Sequence, residues 1–101
     1  MNKLDKNTAK DLLNKIDAIK LDLVAAKGNP AIAKANQLAA IVSIISPYQN
    51  ELSNDIQVQV NSFVIAYRAA QKGDETFSKP IYKLIDPTKK VIVDYLENLT
   101  I

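Results

Sequence analysis

A chain of 101 residues is one domain in length, and 48% hydrophobic with 24% charged residues is the balance of an ordinary globular protein. The net charge of +2 comes from 13 Lys and Arg, of which only Arg68 is an arginine, against 11 acids. That is too slight an excess, and too poor in arginine, for a dedicated nucleic-acid binder. With no Cys and no His, disulfides, thiolate chemistry, imidazole general-base catalysis and the usual zinc sites are closed to it.

Only 2 Gly and 4 Pro leave little turn chemistry for an all-β fold. The start, Met1-Asn2-Lys3-Leu4-Asp5-Lys6, leads into a charged amphipathic pattern with no apolar signal region, so a cytoplasmic location is expected.

The first helix is predicted from about Thr8 to Ala26. Thr8 would cap it, with Asp11 at N3 in a near capping box. Leu12, Ile16, Ile19 and Leu23 recur at helical spacing, and Leu13 and Val24 widen the stripe. Lys27 and Gly28 supply the stop, Gly28 as C′. The second helix has the clearest start, Asn29 as N-cap before Pro30 at N1, and runs to about Ile45. Ile32, Ala35, Leu38, Ala39, Val42 and Ile45 share one face, with Ile41 and Ile44 beside it. Only Lys34 is charged, which places this helix in the middle of a bundle. The run Gln37-Leu38-Ala39-Ala40-Ile41-Val42-Ser43-Ile44-Ile45-Ser46-Pro47-Tyr48 is too short and too polar at its flanks to span a bilayer, which needs about 20 apolar residues.

Ser46-Pro47 reads as another cap and N1 proline. A long helix would follow to about Lys72, with Gly73 as its stop. Its stripe is Tyr48, Leu52, Ile56, Val60, Phe63, Tyr67 and Ala70. Inside it, residues 55–60 alternate like a strand, and Val58 is the position the helix explains worst. Gly73-Asp74-Glu75-Thr76 reads as a loop. Phe77 to Ile85 reads either as irregular chain or as a short fifth helical turn with Pro80 at N1. Asp86-Pro87 repeats the cap and proline device. The last helix then runs to about Leu99, with Val91, Ile92, Tyr95 and Leu99 on its face. The expected fold is a single all-α domain over residues 1–101: an antiparallel bundle of four main helices.

No catalytic constellation assembles from these residues. With two glycines and no histidine, neither a phosphate-cradling loop nor a Ser/His/Asp arrangement can be built. Asp11, Asp17 and Asp22, or the Glu51/Asp55 pair, could bind Mg²⁺ or transfer protons, but helix-face solvation is the simpler account. No enzyme activity, cofactor or metal is expected. Lys79, Lys83, Lys89 and Lys90 gather near the C-terminal end, either as a basic patch for a membrane surface or acidic partner, or as an ordinary exposed face shared with Asp86, Asp94 and Glu97. Tyr82 and Tyr95 lie among them.

In size, composition and helix order the chain resembles the immunity proteins of class IIa bacteriocins. Those are small four-helix bundles that protect a Gram-positive producer from its own pore-forming peptide. The resemblance is carried by the amphipathic first helix AKDLLNKIDAIKLDLVAA, the long third helix and the C-terminal portion IYKLIDPTKKVIVDYLENLTI. It implies a non-enzymatic protein that binds a partner complex at the inner membrane face. It also directs attention to Tyr82, Lys83, Lys89, Lys90 and Tyr95 as partner-binding residues, because the C-terminal part influences specificity in that family. The last helix ends close to Ile101, which argues against specificity carried by a tail. The competing expectation is a phage- or plasmid-type accessory protein, a regulator or assembly factor. The apolar breadth of the second helix and the length of the third allow a homodimer as well as a monomer.

Overall fold

Asp5, rather than Thr8, caps the first helix, α1 (Lys6–Ala18): its carboxylate accepts from the Thr8 N–H at 2.8 Å. The computed structural model describes the backbone of residues 3–72 and 75–101 and the side chains of residues 3–72 and 83–101. The hydrogen bond from Thr8 holds the Asp5 carboxyl below the usual carboxylate value. A lowered folded value means stability that is present above the unfolded carboxylate pKa and lost as pH falls through the folded one. Asp5→Asn keeps the capping oxygen without the titration, so it should remove this part of the acid sensitivity in a pH titration followed by circular dichroism.

The expected continuation of α1 to Ala26 does not occur. Ile19 is extended (φ −77, ψ 112), and its carbonyl accepts from the Gln37 side-chain amide at 3.0 Å. Asp22 then starts a separate turn, its carboxylate accepting from the Ala25 N–H at 2.9 Å. The turn closes with the Gly28 N–H donating to the Leu23 carbonyl at 2.7 Å and the Lys27 N–H to the Val24 carbonyl at 3.1 Å. Both Lys27 (φ 54) and Gly28 (φ 80) are left-handed. This is a Schellman arrangement with Lys27, not Gly28, at C′. Ala26 is buried, but Leu23 and Val24, expected on the core stripe, are exposed.

The second helix, α2 (Pro30–Ile45), starts as predicted: the Asn29 side chain accepts from the Ala31 N–H at 3.0 Å and from the Ile32 N–H at 3.3 Å. Leu38, Ile41 and Ile45 are among its buried residues, whereas Ile32 turns outward. Ser46-Pro47 starts a 3₁₀ segment, Ser46–Glu51, instead of the third helix. Leu52 is extended, with ψ 153, and α3 (Asn54–Gln71) begins after it. The Leu52 carbonyl accepts from the Gln57 side-chain amide at 2.7 Å, and the Glu51 carbonyl accepts from the Tyr95 hydroxyl at 2.9 Å. Side chains from later elements thus satisfy the carbonyls that the chain leaves open there.

The last helix, α4 (Glu75–Leu99), is continuous through Asp86-Pro87 and begins at Glu75, so no separate turn near Pro80 precedes it. Gly73, expected as the α3 stop, lies outside the described residues. Ile85, Thr88, Ile92 and Leu96 form a buried stripe that crosses the proline. Pro87 itself is exposed. Its missing N–H and its clash with the Lys83 carbonyl therefore fall on the side where water can serve that carbonyl. Leu96, absent from the predicted face, is wholly buried, while Val91, Tyr95 and Leu99 are half-buried beside it.

These elements make an all-α bundle around one core, with contributions from every helix. Both α2 and α4 touch the other three helices, and α3 against α4 is the most extensive packing. The central position expected for α2 is therefore shared with α4. The 25 residues of α4 span about 37 Å at 1.5 Å each, which accounts for the long dimension of 39 Å. Within this core the Thr88 hydroxyl, 0% exposed, has no hydrogen-bond partner. Replacing it by a methyl group removes an uncompensated polar burial, so Thr88→Val should raise stability by about 1–2 kcal/mol in urea unfolding.

Candidate interaction surface

Of the five predicted partner-binding residues, the four with described side chains, Lys83, Lys89, Lys90 and Tyr95, do not form one surface. Successive helical residues turn by about 100°. Lys83 and Lys90 therefore share the outward face of α4 with Asp86, Asp94 and Glu97, and all five are exposed. Among the described residues that face mixes both signs and offers no basic patch; the Lys79 side chain lies outside them. Lys89 lies one step further round, half-buried, and its ammonium reaches the Gln37 side-chain carbonyl at 3.5 Å. Tyr95 lies on the opposite flank, where its hydroxyl ties α4 to the 3₁₀ segment. The Tyr82 side chain lies outside the described residues. Removing the Tyr95 hydroxyl breaks that tie, so Tyr95→Phe should lower stability by about 0.5–1 kcal/mol, read by chemical denaturation.

Gln37 is the polar hub that sequence reasoning missed. Its amide donates to Ile19 at the end of α1, and its carbonyl faces Lys89 on α4. The groove beside it, about 460 Å³, is lined by Ile16, Ile19, Leu21, Gln37, Lys89 and Val93. A second open groove, about 430 Å³, lies between α2 and α3, with Val42, Val60, Tyr67 and Arg68 in its walls. Tyr67 donates to the Asn36 side chain at 2.6 Å, and burial raises its phenol pKa. Asp17 and Lys20 line the first groove together with Lys89, and no ion pair joins them among the described residues. Asp11 is paired with Lys15 at 3.1 Å on the surface of α1, Asp5 and Asp22 cap backbone N–H groups, and Glu51 and Asp55 sit on different elements. Among the described residues, no three carboxylates come together as a metal site.

The feature that stands apart is an apolar edge between Leu21 and Ile32. Leu21, Leu23, Val24 and Ile32 are all exposed, Val24 by 90%. The break after Ala18 and the bonded turn at Asp22–Gly28 expose Leu21, Leu23 and Val24, and Ile32 turns outward on the first turn of α2. The only local signal for it was Asp22, a capping residue inside what reads as one helix. Two further apolar residues stand outward on α3, Val58 and Ile65, 65% and 64% exposed. Among the described residues, no helix is long and apolar enough to cross a membrane. In comparisons with known proteins, no family model, no curated protein and no solved structure matches this chain.

Proposed function

We propose that this chain works by binding, as a non-enzymatic protein of the bacteriocin-immunity type that engages a partner complex at the inner membrane face from the cytoplasm. The observation that supports binding over catalysis is the Leu21–Ile32 edge. Leu21, Leu23, Val24 and Ile32 are exposed along a hydrogen-bonded turn and the start of α2, and among the described residues no catalytic arrangement of side chains is assembled. The test is expression in a strain sensitive to class IIa bacteriocins. Protection is expected, and a double substitution of the edge, Leu23→Glu with Val24→Glu, should abolish it without unfolding the bundle. Failure to protect against a panel of such peptides sinks this function.

One observation favours a second reading, an accessory protein of phage or plasmid type acting as a helical homodimer. Val58 and Ile65 lie two turns apart on the outward face of α3, where a second copy could cover them. Light scattering after size exclusion decides it: a strict monomer counts against the dimer.

A further inference from the structure

We propose that the Leu21–Ile32 edge is a lipid-facing surface that seats the protein on an anionic bilayer. The proposal rests on reading this edge as the binding surface of the immunity function.

The charge around the edge points to the lipid. From residue 18 to residue 50 the chain carries three lysines, Lys20, Lys27 and Lys34, and a single acid, Asp22. That stretch nets +2 (three lysines less one acid). Asp17 shares a groove with Lys20, Leu21 and Lys89, and Asp86 shares one with Lys34, so lysine stays in excess around the edge, four against Asp17, Asp22 and Asp86. The Asp22 carboxylate is turned onto the Ala25 N–H. All three lysines are exposed, and the ion pair found among the described residues, Lys15–Asp11, involves none of them. An exposed aliphatic tip flanked by lysines is the composition of an interfacial anchor: the tip enters the headgroup boundary and the ammonium groups meet anionic lipid. A protein hot spot would be expected to carry Trp, Tyr or Arg, and the edge from Lys20 to Lys34 has none. The backbone at Leu23 and Val24 is held on both sides, by the Asp22 carboxylate on the Ala25 N–H and by the Schellman closure at Lys27 and Gly28. Little ordering is left to oppose binding.

The chain has no Trp, so a single introduced one reports on its own surroundings. Val24→Trp, at a site with room in solvent, reads the edge, and Val58→Trp reads the outward face of α3. On vesicles of phosphatidylglycerol mixed with phosphatidylcholine at low salt, the emission of Val24→Trp should shift to the blue while that of Val58→Trp stays. On phosphatidylcholine alone neither should shift. Changing Lys20, Lys27 and Lys34 together to Gln should weaken partitioning on the order of a hundredfold, about fivefold for each lysine. No shift at position 24 on the anionic vesicles overturns the proposal, as do equal shifts at both positions or equal binding to both lipids. A shift given only by cell membranes, and abolished by treating them with protease, assigns the edge to a protein and also overturns it. Vesicle binding without protection of sensitive cells would sink the immunity function and leave the lipid surface standing; protection without vesicle binding would do the reverse.

Discussion

Phe63→Ala is expected to destabilise the bundle by about 3–5 kcal/mol, the range for an aromatic removed from a packed interior. Phe63 is 0% exposed and is the largest fully buried side chain among the described residues. It sits on α3, whose packing against α4 is the most extensive in the fold, and its ring stacks on Tyr67 with centroids 5.6 Å apart. A domain of this size has roughly 5–15 kcal/mol of stability in total, so the variant loses about a fifth of it or more. At about 4–8 °C per kcal/mol, the midpoint of thermal unfolding should fall by roughly 12–40 °C, followed by circular dichroism. Val58→Ala on the same helix is the control. Val58 is mostly in water, and its loss should register within about 0.5 kcal/mol. A large effect at Val58 and a small one at Phe63 would mean that α3 presents the other face to the core.

That contrast also decides the one ambiguity of α3 in the sequence. In a strand, Ile56, Val58 and Val60 would share a face, since side chains alternate. Ile56 and Val60 are buried and Val58 is exposed, as a helix requires. The stripe from Leu52 to Phe63 was legible because its repeat is long and regular. The start of α3 was not. Tyr48 and Leu52 fit the same repeat whether or not the chain breaks between them, and the break at Leu52 is held by Gln57 and by Tyr95 from the far end of the chain.

The end of α1 hid for the same reason. Nothing between Ala18 and Asp22 is a glycine or proline, and the group that accommodates the break, Gln37, lies eighteen residues ahead. Local rules expose caps whose donor and acceptor are neighbours, such as Asn29 with Ala31. They do not show a carbonyl satisfied across the bundle. The same blindness governed the candidate surface. Leu23 and Val24 look like core for as long as α1 is taken to continue, and the apolar edge appears only once the helix stops. Lys89 and Tyr95, singled out by residue type, turn out to be tied to Gln37 and to the 3₁₀ segment, so composition marked them without their partners.

Pro87→Ala should stabilise the protein by about 2–3 kcal/mol, because a proline in a helix interior is roughly 3 kcal/mol less favourable than alanine. In the continuous α4, the substitution restores the amide that can bond to the Lys83 carbonyl and removes the ring from its path. The site is exposed, so no packing is lost in exchange. The midpoint of thermal unfolding should rise by roughly 8–24 °C. The arrangement suggested by Asp86-Pro87 as a helix start predicts otherwise. A proline at N1 costs a helix little, so its replacement would then be nearly neutral. Asp86→Ala separates the two from the other side: loss of an N-cap costs about 1 kcal/mol, whereas an exposed mid-helix aspartate replaced by alanine gains a few tenths through propensity. A stabilising pair of substitutions means that the buried stripe Ile85–Thr88–Ile92–Leu96 outweighs the proline and holds α4 together across it. A neutral Pro87→Ala with a destabilising Asp86→Ala would divide α4 at Asp86 and overturn the continuous helix on which the bundle is built.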